Sequence, residues 1–204
     1  MVAHLTQVAV ILGAYLVGAI PFGYLVAKYL AGIDVRAEGS GNIGATNVAR
    51  TAGKGLGLLT LALDALKGAG PPLFAAWVLE LSTPWVVAAG LAAVLGHVFP
   101  VYLRFKGGKG VATAAGAFLA IAPLSTLVAV GIFGLVFAAF KVVSLGSLAA
   151  SLALVVSTTF LDGRPEVIGL AALVATLVFV RHRANIRRLW RGEESKFKSA
   201  QGPS

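Results

Sequence analysis

The sequence predicts an all-α, polytopic integral membrane protein with seven transmembrane helices, its N-terminus periplasmic and its C-terminus cytoplasmic. Three observations carry this expectation. The chain of 204 residues is 58% hydrophobic and only 12% charged, against about 25% charged in an ordinary soluble domain. Its apolar residues come in long runs, and a spanning helix needs about 20 of them. Its basic residues fall almost entirely on one alternating set of the connections between those runs.

Taken in order, the candidate spans are residues 5–27, 56–81, 84–103, 111–122, 124–140, 145–161 and 165–180. The first has no basic stretch before it and no small-residue cleavage site after it, so it reads as a span and not as a secretory signal. The second carries Asp64 and Lys67. Either those charges face the bundle interior, where they would pair, or this stretch is an interfacial helix followed by a short span from about Gly70. The fourth has 12 residues, short for a crossing. A tilted or half-buried helix whose start lines a polar cavity would accommodate it.

With seven spans, the loops at 28–55, 104–110 and 141–144 and the tail from Arg181 share one side. Of the 17 Lys and Arg residues, only Arg164 falls on the other side, provided Lys67 is counted with the first. Short cytoplasmic loops are enriched in Lys and Arg, so this side is the cytoplasm. An even span count would divide the basic loops across the bilayer. The same excess of 17 Lys and Arg over 8 Asp and Glu therefore speaks of topology and anionic lipid rather than nucleic acid. Cysteine is absent and only three His are present, which excludes disulfides, thiolate chemistry and a His-rich metal cluster. No cofactor is expected. One domain, 1–194, is followed by a tail, 195–204, expected to be flexible. No internal repeat is evident.

Three polar islands interrupt the apolar chain on the cytoplasmic side. The first runs from Gly39 to Asn47, with Arg50 and Lys54 just after. Glycines permit positive φ and a close approach of backbone to ligand, and successive N–H groups in such turns bind anions. Ser40, Asn42, Thr46 and Asn47 add side-chain donors around Gly41 and Gly44, and Arg50 can grip a phosphate with two parallel hydrogen bonds. The spacing Gly39-x-Gly41-x-x-Gly44 fits a dinucleotide fingerprint only in a parallel sheet, which this chain does not supply. The second island places Arg104, Lys106 and Lys109 among Gly107, Gly108 and Gly110. Lys109 precedes a helix start, where free N–H groups favour an anion. Neither Gly-Lys pair is followed by the Ser or Thr of a nucleotide-binding P-loop. The third island holds His182 and Asn185, on one face if the last span continues as a helix, then Arg187, Arg188 and Arg191. His97, at the cytoplasmic end of its span, either packs there or faces the site. Ser144 and Ser147 open the sixth span. No carboxylate cluster is available for Mg²⁺, so phosphate charge must be met by protein cations and N–H groups.

In these islands the chain resembles the bacterial acyl-phosphate-dependent glycerol-3-phosphate acyltransferases, the PlsY family. The likeness rests on Gly18-Ala19-Ile20-Pro21, Gly39 to Asn47, Asp64 to Gly68, Gly96 to Pro100, Phe105 to Thr113, Arg181 to Ile186, and Gly192-Glu193-Glu194, in that order over nearly the whole chain. The resemblance implies a multi-pass enzyme of the bacterial inner membrane with its active site facing the cytoplasm. It implies transfer of a fatty acyl group from acyl phosphate to the 1-hydroxyl of glycerol 3-phosphate. The products would be lysophosphatidic acid and inorganic phosphate, in the first committed step of phospholipid synthesis. It implies no metal, acyl-CoA or acyl carrier protein, and the chain is expected to act as a monomer.

The resemblance also implies roles. Ser40, Asn42 and Arg50 hold the acyl phosphate. Lys109 lies between the two phosphates. His182 and Asn185 bind glycerol 3-phosphate, assisted by Ser144 or Ser147. Gly41, Gly44, Thr46, Asn47, His97, Lys106, Gly107, Gly108, Arg187 and Glu194 complete the expected substrate-binding set. Either His182 or an oxygen of the acyl phosphate takes the proton of the attacking hydroxyl. The phosphate is the expected acceptor, because Arg181 and Arg183 should keep His182 neutral and acting as a donor. Two rivals compete with this expectation. A transporter for a phosphate-bearing solute would need islands on both faces or at the midplane. A basic lipid-recruiting protein would leave the Ser40 to Asn47 loop without a purpose.

Overall fold

Pro21 has no N–H to donate and cannot continue a helix from the preceding turn. The first apolar run accordingly splits into α1 (Val2–Ala19) and α2 (Phe22–Ala31) in a computed structural model, which describes residues 2–197. The short α3 (Ala45–Thr51) follows the first polar island and leads into the long α4 (Lys54–Leu73). Pro71 and Pro72 lie inside α4, which loosens after them into a π-type turn, Phe74–Val78. α5 (Thr83–Val98) stops before Phe99-Pro100, as expected of a residue that precedes proline. A single 3₁₀ turn, Val101–Leu103, and the second island then lead to α6 (Val111–Ile121). α7 (Pro123–Phe140), α8 (Val143–Ser157), α9 (Pro165–Arg181) and α10 (Arg183–Trp190) complete the order. Proline stands in the first turn of α5, α7 and α9, where its missing N–H costs nothing.

Two helix pairs form the centre, and both meet through glycine. Gly68 of α4 lies on the Thr113 backbone of α6, and Gly116 of α6 lies on the Ala65 backbone of α4. Gly18 of α1 meets Ala93 of α5, while Gly96 of α5 meets the Tyr15 backbone of α1. Lipid tails are as apolar as leucine, so helices in a bilayer associate by such close contacts rather than by hydrophobic exclusion. The main core joins Val94 and Val98 of α5, Phe118 of α6 and Val167, Leu170 and Val174 of α9.

Among the described residues, four helical stretches are long and apolar enough to cross a membrane: His4–Ala31, Thr83–Leu103, Pro123–Phe140 and Val143–Asp162. A fifth is added if Pro165–Arg181 and Arg183–Trp190, bent by 63°, form one span. That bend corrects an expectation. The last span does not run on as one helix through the third island; it breaks at His182, which closes α9 and opens α10. α4 falls outside this set, as does α6 with its 11 residues. Asp64 and Lys67 do lie inside the bundle, 1% and 4% exposed, joined by an ion pair of 2.8 Å.

Candidate active site

Lys109 is held at the mouth of α6 by the loop that precedes it. The Gly108 N–H donates to the His97 carbonyl at 3.1 Å. From the other side Arg181 donates to the carbonyls of Gly107 (2.9 Å) and Gly108 (3.2 Å). Gly110, at φ +82, turns the chain into α6, a conformation that glycine adopts without a Cβ penalty. The Lys109 ammonium donates to Asn185 Oδ1 at 2.6 Å.

Asn185 is oriented in turn by Glu194. Asn185 Nδ2 donates to Glu194 Oε1 (2.6 Å), Ser144 Oγ donates to the same oxygen (2.7 Å), and Arg188 Nε donates to Oε2 (2.6 Å). An ionised carboxylate can only accept, so the Asn185 amide nitrogen must face Glu194 and its oxygen must face Lys109. The C-terminal segment carries Glu194 to this place. The Phe197 N–H donates to the Lys141 carbonyl at 2.7 Å, and the Phe197 ring meets Phe137 edge-on with centroids 6.0 Å apart. The expected tail, 195–204, is thus anchored at Phe197, and 198–204 lie outside the described residues.

Burial pushes the Lys109 ammonium down to about 8; Glu194 opposes this, and Arg188, Arg50 and Arg181 add to it. Burial also pushes His182 down, to about 4, with Lys109 and then Arg181 contributing. His182 is therefore neutral near pH 7, chiefly by burial and then by Lys109. Its Nδ1 faces the Val178 carbonyl at 2.8 Å and must donate there. The expected donor role is thus directed into α9, and Nε2 keeps a lone pair and can only accept. For Glu194, burial pushes the carboxyl up, but hydrogen bonds from Ser144, Asn185 and Arg188 outweigh it and leave the group below its ordinary value.

The first island is organised by Asn47. Its buried amide nitrogen donates to the carbonyls of Val35, Glu38 and Asn42, each at 3.0 Å, and its oxygen accepts from the Ser40 N–H at 2.9 Å. Gly39 and Gly41 take φ +58 and +67 to wrap the chain around it. Asn42 Oδ1 accepts the Gly44 N–H at 2.8 Å. Asn47 and Asn42 Oδ1, expected on substrate, are thus engaged in shaping the loop. Ser40 is exposed, with Thr46 and Arg50 half-buried, and none of the three side chains has a partner among the described residues.

Other expected residues separate in the same way. Ser144 reaches the carboxylate, whereas Ser147 Oγ donates to Val143 O of its own helix at 2.9 Å. His97 is 4% exposed and lies beneath Gly108. Lys106 and Arg187 are exposed and bond to none of the site groups. Arg188, one helical turn beyond Asn185, and Arg181 were missed. The i, i+3 spacing of Asn185 and Arg188 was the available signal for the first. Arg181 opens the third island but was given no partner, because those partners are backbone carbonyls of a loop distant in sequence. Among the described residues no three His, Cys, Asp or Glu side chains gather as a metal-ligand set. A cluster of Arg50, Lys109, Arg181 and Arg188 against the single carboxylate Glu194 is suited to polyanionic ligands.

The comparisons with known proteins agree with this chemistry. A family model described as glycerol-3-phosphate acyltransferase matches residues 8–192. The chain is 50% identical over 186 residues to the glycerol-3-phosphate acyltransferase of Geobacter sulfurreducens, covering 91% of this chain and 95% of that one. It is 52% identical over 194 residues to the protein of the same name from Myxococcus xanthus, covering 95% and 100%. Among solved structures it resembles the integral membrane glycerol 3-phosphate acyltransferase PlsY in its glycerol 3-phosphate form, with TM-score 0.90 and 40% identity over 95% of this chain and 96% of that one. The lysophosphatidic acid form of that enzyme gives TM-score 0.88 at 39% identity, with the same coverage.

Proposed function

Because this chain belongs to the glycerol-3-phosphate acyltransferase family, it is an enzyme that acylates glycerol 3-phosphate to lysophosphatidic acid, and we propose that its acyl donor is an acyl phosphate. The 1-hydroxyl oxygen attacks the acyl carbonyl carbon, the bond from that carbon to the phosphate oxygen breaks, and the hydroxyl proton passes to the departing phosphate. The products are the 1-acyl ester and inorganic phosphate.

The observation that carries this reading is the place of Lys109. It has the Arg50 guanidinium among its charged neighbours and is bonded to Asn185. In the proposed arrangement Arg50, Ser40 and the N–H groups of the first island hold the acyl phosphate. Asn185 and His182 Nε2 take glycerol 3-phosphate. Two dianions repel one another near pH 7, and an ammonium between them in a partly dry cleft offsets that cost. Positioning of hydroxyl against carbonyl supplies much of the remaining acceleration. A His182 held near 4 is a weak base at pH 7, which favours a phosphate oxygen as the proton acceptor.

The same proposal places the enzyme in the bacterial inner membrane as a monomer of one domain, residues 1–194, crossing seven times. α4 with its π turn and α6 would join the five stretches of crossing length and composition, and the paired Asp64 and Lys67 remove the main objection to α4. The one-sided distribution of Lys and Arg then sets the site toward the cytoplasm and the N-terminus toward the periplasm. A solute transporter has no observation in its favour.

The test uses purified protein in lipid with acyl phosphate and glycerol 3-phosphate, measuring released phosphate and acylated product. Turnover is expected with acyl phosphate and not with acyl-CoA. Removing a charge that stabilises developing negative charge costs about 10²–10³-fold, so Arg50→Ala and Lys109→Ala are each expected to lose at least about 100-fold. Turnover with acyl-CoA alone would overturn the donor assignment, and near-normal activity in Lys109→Ala would overturn the site.

A further inference from the structure

The site as described leaves three buried ionisable groups unused. Asp64 and Lys67 of α4 and His97 of α5 are 1%, 4% and 4% exposed. Burying ions is costly unless they are paired and hydrogen-bonded. Lys67 Nζ lies 2.8 Å from Asp64 Oδ1 and donates at 2.6 Å to the Ile20 carbonyl, which also accepts the Phe22 N–H at 3.1 Å across the Pro21 break. It also stands 5.6 Å above the Phe22 ring. His97 Nδ1 lies 3.6 Å from Asp64 Oδ1, within ion-pair reach but beyond a hydrogen bond, and neither atom has a hydrogen-bond partner among the described residues. On its far edge the imidazole meets the second island, where a Cβ built on Gly108 would overlap His97 Nε2, and one on Gly107 would overlap His97 O. The Gly108 N–H is bonded to that same carbonyl.

These contacts form one chain of support. It begins at the break between α1 and α2, crosses α4 through Lys67 and Asp64, passes through His97 and ends under Gly108, the residue before Lys109. We propose that Asp64, Lys67 and His97 are positioning residues that set the height of the Gly107-Gly108 turn and so aim the Lys109 ammonium at its place between the two substrates. None of the three touches substrate. Arg181 also clamps the turn through the Gly107 and Gly108 carbonyls, so the His97 contact and this clamp together fix a segment whose glycines would otherwise leave it free. A sub-ångström error in a charged group at a reacting centre is costly to turnover, which gives a reason for placing three ionisable groups where a purely apolar core would be more stable.

This proposal rests on the role given to Lys109 above, and the experiment separates the two. Lys109→Ala is the reference. If it keeps full activity, the site reading fails and the support has nothing to aim. With Lys109→Ala inactive, the first test is Asp64→Asn combined with Lys67→Met, which removes both charges and leaves no lone buried ion. We expect kcat to fall at least about 10-fold with KM for glycerol 3-phosphate changed less than about 3-fold. The loosened turn should also rehydrate Lys109, so the alkaline limb of kcat/KM should move up by at least about half a pH unit. The charged groups acting on Lys109 are Glu194, Arg188, Arg50 and Arg181, and none of them is altered. Wild-type kcat and an unmoved limb in a folded variant would overturn the proposal.

The second test does not depend on that variant folding. Gly108→Ala forces a methyl into the His97 ring and should lose at least about 100-fold, and adding His97→Ala should recover about 10-fold by making room. A folded double variant no more active than Gly108→Ala would also overturn the proposal.

Discussion

Glu194→Gln is the most informative single substitution that the site offers. The glutamate accepts from Ser144 and Asn185 on one oxygen and from Arg188 on the other. Glutamine keeps one accepting oxygen and puts an NH₂ where the other was, so at least one donor must face a donor. A hydrogen bond to a charged group contributes about 1.5–3 kcal/mol, and 1.36 kcal/mol is tenfold in rate. Loss of one such bond at the site predicts a fall in kcat/KM of about 10- to 150-fold at pH 7.

The same substitution has a signed effect on pH dependence. Glu194 raises the Lys109 pKa against the burial that brings it to about 8. In the proposed mechanism Lys109 acts while protonated, so activity is present below its pKa and is lost as pH rises through it. Without the carboxylate that pKa drops further, and the alkaline limb must move below the wild-type position near 8. The phosphates of the substrates ionise near pH 6, well clear of this limb. The assay is kcat/KM for glycerol 3-phosphate from pH 6 to 10 in lipid, which reports ionisations of the free enzyme. An alkaline limb that stays in place or moves upward in a folded Glu194→Gln enzyme would refute the reasoning.

The remaining expectations concern His182 and the C-terminal anchor. Since His182 stays neutral down to about 4, the wild-type profile should show no histidine-like limb between pH 5.5 and 7.5 beyond those of the substrates. His182→Ala should weaken glycerol 3-phosphate binding by about 10-fold without reshaping the profile, and loss of a clear ionisation near pH 6.5 would contradict this. Phe197→Ala removes an aromatic pair with Phe137, a contact worth about 0.5–1.5 kcal/mol beyond its area. A fall in kcat/KM of about 3- to 10-fold is expected; an unchanged rate would show that Glu194 holds its place without the anchor.

The helical fold, the membrane setting and the three polar islands were legible because each follows from local sequence. Apolar runs of crossing length must bury their backbone polar groups in helices, and proline or glycine marks where they stop. Lys109, His182 and Asn185 stood out because cations, imidazole and amide beside glycines in an apolar chain have few other uses. The break at His182 was not legible, since no proline or glycine stands there. Nor was the division of labour within the islands, in which Asn47 faces its own loop while the Arg50 side chain has no hydrogen-bond partner among the described residues.

What the sequence determined by itself was therefore composition-driven: an all-helical chain with apolar helices of crossing length, and basic and glycine-rich residues of phosphate-binding type on the connections between them. What only the tertiary structure decided was which of those residues meet. Lys109 and Asn185 are 76 residues apart and Ser144 and Glu194 are 50 apart. Helix packing alone brings such pairs to hydrogen-bonding distance. The contact of His97 with the turn before Lys109, and with the paired Asp64 and Lys67, was likewise decided by packing: the sequence offered the pair and left His97 open between packing and facing the site. Periodicity and propensity act over a few residues, whereas the aim of a single ammonium depends on backbone approach between distant helices to within a fraction of an ångström.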